Sequence, residues 1–188
     1  MKQKSITAHV LLLTCLSVIL FSATASAFDG NRQGFVMGFG LGVSPISHWN
    51  VESLSRSGTE QGTAGGIVLG YAWNNRNVIA YVSNVNFFYS ENRKILVCSH
   101  AVSAVTWYHY FKDSKHSWYF KGGLGRAYVG SRYSDVGGAG FGIVVGTGVE
   151  LFKQVELGTN LFYGTGKDTG SHSASVVSLS FVVTALAY

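Results

Sequence analysis

The stretch from Gly140 to Phe152, GFGIVVGTGVELF, alternates between large and very small residues. One set of alternate positions carries bulky groups, namely Phe141, Ile143, Val145, Thr147, Val149 and Leu151. The other set is mostly glycine and ends in Glu150. A period of two is the signature of a β-strand whose two faces meet different surroundings. The pattern therefore predicts a strand with one bulky apolar face and one nearly bare face.

The same alternation recurs along the chain and predicts eight strands. They are Gly34–Val43, Thr63–Trp73, Val78–Tyr89, Lys94–Phe111, Trp118–Gly130, Gly140–Phe152, Val155–Gly164 and Ala174–Tyr188. The phase of the fourth strand is ambiguous, and we expect Leu96, Val102, Tyr108 and Tyr110 to point outward. The phase of the eighth strand stays open. In the fifth strand Arg126 shares the outward phase, unless a bulge in the preceding glycines turns it inward.

The connections between these strands alternate in length. Residues 74–77, 112–117 and 153–154 form short polar turns, whereas the opposite set includes the longer segments 44–62, 130–138 and 165–173. Short turns at one end and longer loops at the other are typical of bacterial outer-membrane barrels.

Closing the sheet satisfies every backbone group in hydrocarbon, and eight strands enclose just enough space for side chains. We therefore predict an all-β fold, a closed antiparallel up-and-down transmembrane barrel of eight strands. The alternative, a lipocalin-like barrel, would be apolar inside and polar outside.

The N-terminus and the composition support a membrane barrel reached by secretion. Residues 1–27 combine Lys2 and Lys4, an apolar run and the small-residue end Ala25-Ser26-Ala27, which predicts a signal peptide cleaved after Ala27. An uncleaved anchor is the alternative. Residues 28–188 would then form one barrel domain whose formal charge falls from +5 to +3. Only 12% of residues are charged, against about 25% in soluble domains. No other segment is apolar for long enough to form a transmembrane helix.

The chain resembles the small eight-stranded outer-membrane proteins of Gram-negative bacteria, the OmpA/OmpX-like barrels. The signal ending ASA, the first strand GFVMGFGLGV and the last strand FVVTALAY, which ends on an aromatic residue, support the resemblance. It implies an outer-membrane location and contact with outer-membrane lipids, including lipopolysaccharide. It also implies recognition by the outer-membrane assembly machinery. We expect a monomer, no nucleic-acid partner and no cofactor, and the single mature cysteine, Cys98, excludes a cysteine-rich zinc site.

Three charged residues fall in the inward phase of adjacent strands near the short turns. They are Lys121, Glu150 and Glu156, and we expect them at similar depth inside the barrel. Buried charges are tolerable only when they are paired. The cluster predicts either a polar plug across the lumen or a structural ion-pair group that sets the register, and the second interpretation is favoured.

Aromatic residues near the strand ends predict membrane-interface girdles. They are Trp73, Tyr89, Tyr108, Tyr110, Trp118, Tyr128, Tyr163 and Tyr188. His48 and Trp49, in the long first loop, are the best candidates for a binding surface.

The sequence carries no clear catalytic motif. His172-Ser173 is a weak hint of lipid A deacylation, and Ser103 lies between His100 and His109 without a nearby acid. We therefore expect a structural or surface-exposed binding role, including adhesion, rather than an enzyme. A lipid A- or phospholipid-modifying enzyme and a narrow channel are the alternatives.

Overall fold

The computed structural model describes residues 32–51, 56–90, 95–113, 116–131, 137–152, 154–167 and 173–188. The predicted signal peptide lies outside these residues. No helix within the described segments is long and apolar enough to cross a membrane.

The described residues form a closed antiparallel barrel. Its strands are β1 (Gly34–Val51), β2 (Arg56–Asn74), β3 (Asn77–Ser90), β4 (Ile95–Tyr110), β5 (Trp118–Ser131), β6 (Gly137–Phe152), β7 (Val155–Lys167) and β8 (Ser173–Ala187). Each strand pairs with its neighbours in sequence, and β1 pairs with β8 to close the sheet. The predicted fold class is therefore confirmed. We call the end with the connections at 75–76, 111–117 and 153–154 the turn end, and the opposite end the loop end.

The two faces of the sheet differ as the alternation predicts. Bulky apolar side chains point outward and are exposed, with Phe35, Leu124 and Phe141 each more than half accessible. Inward positions are buried, and on β6 the inward set is Val144 and Glu150 together with glycines. A barrel that is oily outside and mixed inside is the inverse of a lipocalin-like barrel. Its outer face suits a bilayer.

The prediction of a loop at residues 44–62 is wrong, because most of these residues belong to strands in the structure. β1 runs on to Val51 and pairs with the start of β2. The register shifts between Ser44 and Ser47, around Pro45. Proline cannot donate a ladder hydrogen bond, and a β-bulge accommodates it without ending the strand.

The expected outward phase of the fourth strand is wrong for Val102, Tyr108 and Tyr110, and the side chain of Leu96 lies outside the described residues. Val102, Tyr108 and Tyr110 are buried inside the barrel, while Val105 and Trp107 face outward. Tyr108 lies directly opposite Lys121 of β5, so the two side chains share the inward face. Both faces of β4 carry aromatic residues, and size alone therefore cannot distinguish them.

The structure settles the two orientations that the sequence leaves open. Arg126 is exposed between Leu124 and Tyr128, so β5 keeps its alternation and the arginine faces outward. In β8, Val177, Leu179, Phe181 and Val183 share the outward phase, and the alternate residues Ser178, Ser180 and Val182 are buried inside.

Candidate functional site

The three predicted interior charges lie at the turn end of the barrel. Lys121, Glu150 and Glu156 are all buried, and Glu150 lies opposite Glu156 in the β6–β7 register. The lysine is close enough to Glu156 for electrostatic attraction. Its Nζ also lies 3.5 Å from the hydroxyl of Tyr108. The two carboxylates take different partners, which the sequence did not predict.

Arg32, just before β1, is the partner of Glu150. Its guanidinium donates from Nη2 to a carboxylate oxygen of Glu150. Nη1 donates to the backbone oxygens of Asn75, at 2.5 Å, and Lys112, at 3.1 Å. The backbone nitrogen of Arg32 donates to the side-chain oxygen of Asn75 at 3.0 Å. These contacts attach the segment before β1 to two of the turns. No alternation pattern could identify Arg32, because it precedes the first strand.

Four buried tyrosines complete this group of residues. Tyr108 and Tyr119 have ring centroids 5.7 Å apart, and Tyr110 lies 5.4 Å from Tyr119. The guanidinium of Arg32 stacks 4.1 Å from the Tyr110 ring, and the Tyr110 hydroxyl donates to Glu156. Tyr188 approaches Tyr110 at 3.4 Å between hydroxyl oxygens.

We call this group the basal cluster. Its members are Arg32, Tyr108, Tyr110, Tyr119, Lys121, Glu150, Glu156 and Tyr188. Aromatic rings pack among its charged groups, and each charge has a neighbour of opposite sign or a hydroxyl. That is the condition under which buried charge is tolerated.

Glycines on the facing strands make room for the large side chains of this cluster. A Cβ at Gly158 would lie 2.4 Å from the hydroxyl of Tyr119, and one at Gly148 would lie 2.6 Å from it. A Cβ at Gly146 would lie 2.8 Å from Cε of Lys121. The space beside the glycine-rich face of β6 is therefore filled by side chains from β5.

A second polar group lies inside the barrel toward the loop end. Asn86 donates to Ser44 at 3.1 Å, and Ser44 is 3.1 Å from Ser47. Nearby, Nδ1 of His100 lies 3.0 Å from the hydroxyl of Ser178. Between the two ends, Val102, Val144 and Phe162 form an apolar layer with Ala104 and Ala127 on the β4–β7 side of the interior. On that side, apolar packing therefore separates the two polar groups.

His48 and Trp49 do not lie in a loop, contrary to the prediction. Both belong to the extension of β1, and because they are consecutive they point to opposite faces. His48 is exposed, with Nδ1 3.0 Å from the hydroxyl of Thr59. Trp49 packs inward against Val129, Ala174 and Val176. The two side chains therefore cannot form one binding surface.

The aromatic residues divide between the two faces. Trp73, Trp118, Tyr128 and Tyr163 are exposed on the outer wall, and their place in a membrane-interface girdle stays a prediction. Tyr108, Tyr110 and Tyr188 are buried inside the barrel, so their expected place at the membrane interface is wrong. The side chain of Tyr89 lies outside the part of the chain that the structure describes.

The histidine and serine candidates for catalysis are not brought together. His100 is buried inside, whereas Ser103 faces outward, so the sheet separates them. His109 and Ser103 share a face of β4 but lie six residues apart, about 20 Å along a strand. His172 lies outside the described residues. Within those residues, no group of three His, Cys, Asp or Glu side chains could hold a metal ion.

An exposed ion pair joins two turns at the turn end. Arg76 donates from Nε and Nη2 to the carboxylate of Asp113 at 2.7 and 2.9 Å. The hydrogen bond from Arg76 holds the pKa of the Asp113 carboxyl below its usual value. Both side chains are about half exposed, and such surface pairs contribute little stability.

The closed eight-stranded barrel with an apolar wall and a packed interior is the fold of the small outer-membrane β-barrels. In particular, the chain is similar to Neisserial surface protein A, with a TM-score of 0.54 and 17% identity over 81% of this chain and 97% of that one. Ail of Yersinia pestis gives a TM-score of 0.44 at 13% identity, covering 81% and 99%. The N-terminal barrel domain of Pseudomonas aeruginosa OprF gives 0.41 at 12%, covering 80% and 98%. No protein-family model and no curated protein matches the sequence.

Proposed function

We propose that this protein is a non-conducting barrel of the outer membrane that displays the β1–β2 hairpin at the cell surface as its binding element. The observation that supports this proposal is a change in the polarity of the outward-facing residues along the hairpin. Near the turn end its outward residues are apolar, for example Phe39, Ile67 and Trp73. Beyond the bulge they are exposed and polar, namely His48, Asn50, Ser57, Thr59 and Gln61.

This change in polarity favours a hairpin that leaves the bilayer at the loop end. An outward apolar band about 25 Å tall is what a membrane barrel presents to lipid, and longer connections lie outside the cell. A continuous ladder pairs Ser47–Val51 with Arg56–Glu60, so the projecting part is ordered strand. A rigid platform positions a binding surface better than a loose loop does.

The packed interior favours the binding role over the narrow-channel alternative. The basal cluster at the turn end and the apolar layer of Val102, Val144 and Phe162 are both buried side-chain layers. The separation of His100 from Ser103 removes the reason to expect catalysis at that pair.

Cysteine labelling in intact cells tests the proposed orientation. In a Cys98→Ser background, Thr59→Cys places a thiol on the exposed face of the hairpin, and Lys112→Cys places one at an exposed turn. A membrane-impermeant maleimide should label Thr59→Cys in intact cells and Lys112→Cys only after the outer membrane is opened. The opposite labelling pattern would show that the barrel has the reverse orientation in the membrane. Labelling of neither variant in an outer-membrane fraction, with both labelled in a soluble periplasmic one, would exclude a membrane protein.

A further inference from the structure

The outer wall of the barrel carries a groove across β3–β6 that interrupts its apolar surface. The groove has a volume of about 500 Å³ and is open along the outer wall. Small residues, Ala101, Ser103, Gly125 and Ala139, line its base. Tyr81, Leu124 and Tyr128 form taller walls. The groove is thus apolar, long-walled and open to the surroundings of the barrel.

Among the described residues that line this groove, Arg126 is the charged one. It is exposed, and no described residue hydrogen-bonds or forms an ion pair with its guanidinium. An arginine on the lipid face of a barrel costs several kcal/mol at the bilayer midplane and little near the interface. A guanidinium without a partner among the described residues is available to pair with an anion supplied from the membrane.

Two hydroxyl groups lie in register beside the arginine. Ser103 of β4 lies opposite Arg126 of β5, and Ser83 of β3 lies opposite Ser103. The two serine hydroxyl oxygens are 3.1 Å apart on the outer face. Arginine with neighbouring hydroxyls provides the donors that bind phosphate oxygens.

The height of Arg126 places it near one border of the apolar band. It lies eight residues along β5 from Trp118, about 20 Å along the axis for a tilted strand. Tyr128 follows two residues later, in a suitable place for an interfacial aromatic residue. In the orientation proposed above, this border is the outer leaflet.

We propose that the groove binds one molecule of the phosphorylated glycolipid of the outer leaflet. A lipid A phosphate sits on Arg126 and Ser103, and an acyl chain lies between Leu124 and Tyr128. The inference rests on the proposed membrane orientation and adds a defined lipid partner to it. It is independent of what the β1–β2 hairpin binds.

Titration with lipid A tests this site. The refolded full-length mature protein in detergent micelles is titrated with bis-phosphorylated lipid A, dephosphorylated lipid A or phosphatidylglycerol, and adducts are counted by native mass spectrometry. One lipid A should bind, and loss of its phosphates should weaken binding about tenfold or more, as expected for a charge-assisted contact. Arg126→Gln should have the same effect. Arg126→Lys should bind with intermediate affinity, because it keeps the charge and loses the bidentate geometry.

Two further variants separate the groove from general charge. Ala101→Leu fills the base of the groove and keeps Arg126, and it should also weaken binding. Lys112→Gln removes an equal charge at an exposed turn and should change nothing. Equal losses in Arg126→Gln and Lys112→Gln, or phosphate-independent binding, would overturn the site. Equal binding of phosphatidylglycerol would overturn the choice of glycolipid. A heat-dependent gel shift confirms that each variant is folded, and the cysteine labelling tests the orientation separately.

Discussion

At the scale of single residues, the interior is built from glycines that face large side chains. Tyr119 lies against Gly148 and Gly158, and a Cβ at Gly164 would lie 2.6 Å from Nε2 of His100. A barrel of eight strands has little interior space. A ring or a long polar chain therefore fits only where a facing strand carries no side chain. The glycine-rich faces are complements of particular residues, and this complementarity can be tested.

Gly158→Ala should destabilise the barrel by about 1–3 kcal/mol through overpacking against the Tyr119 hydroxyl. The other atoms near the added Cβ are 3.6 Å away, so the hydroxyl accounts for most of the cost. In a Tyr119→Phe background the same substitution should cost much less. Gly65→Ala, where nothing lies within 3.5 Å, is the matched control and should be neutral or slightly stabilising. Urea unfolding in micelles measures the free energy of unfolding of Gly158→Ala, Tyr119→Phe, their combination and Gly65→Ala. An equal cost of Gly158→Ala with Tyr119 and with Phe at position 119 would contradict the explanation.

At the scale of elements, the sequence predicts the strands well and their ends poorly. Alternation identifies all eight strands, and the outward face is correct wherever one face is clearly larger, as in β6. It fails at β1, because Pro45 reads as a strand end while a bulge absorbs it. It fails at β4, where Trp107 outside and Tyr108 inside are of similar size. There the register with β5 decides the phase, since Tyr108 pairs with Lys121.

The basal cluster shows the same division between what periodicity predicts and what it misses. Lys121, Glu150 and Glu156 follow from periodicity, because a charge in the inward phase of a barrel strand must be buried. Arg32 and the pairing of each carboxylate do not follow, because they depend on three-dimensional contacts across distant strands. The formal charges offered one signal. Two inward carboxylates and one inward lysine leave one buried acid without a cation, so a further cation or hydroxyl donor is expected beside it.

Arg32→Met should destabilise the barrel by about 3–5 kcal/mol, because it leaves the buried Glu150 uncompensated opposite Glu156. Adding Glu150→Gln to Arg32→Met should recover part of that loss, since the orphaned charge is removed. Lys112→Gln, which removes an exposed positive charge near the same turn, serves as the control and should stay within about 0.5 kcal/mol of wild type. Denaturant midpoints in micelles provide the comparison. A double variant less stable than Arg32→Met alone would show that packing, and not charge, dominates at this position.

At the scale of the whole molecule, the barrel places lipid-compatible surface outside and packs buried side chains inside. Exposed apolar residues cover the wall, and charged residues on it are few, with Arg126 at the border of the apolar band. Inside, the basal cluster, the apolar layer and the polar group of Ser44, Asn86 and His100 follow one another along the axis. Under the proposed function, this packing leaves the outer surface and the β1–β2 hairpin as the parts that meet other molecules. This arrangement leads to a direct prediction about conduction.

The reconstituted protein should give no stepwise ion conductance across planar bilayers, because buried side chains pack across the turn end of the barrel and the apolar layer fills the β4–β7 side further along. The Arg32→Met/Glu150→Gln variant should be equally silent. It removes the ion pair and leaves the packed rings of Tyr108, Tyr110 and Tyr119 and the apolar layer of Val102, Val144 and Phe162 in place. A general porin in the same bilayers is the positive control, and the heat-dependent gel shift shows that the test protein is folded.

Discrete openings in the variant alone would make the Arg32–Glu150 pair a gate, because breaking one contact would then open a continuous path. Discrete openings in the wild type would show that the interior layers move apart in the membrane, and the narrow-channel function would replace the closed barrel proposed here.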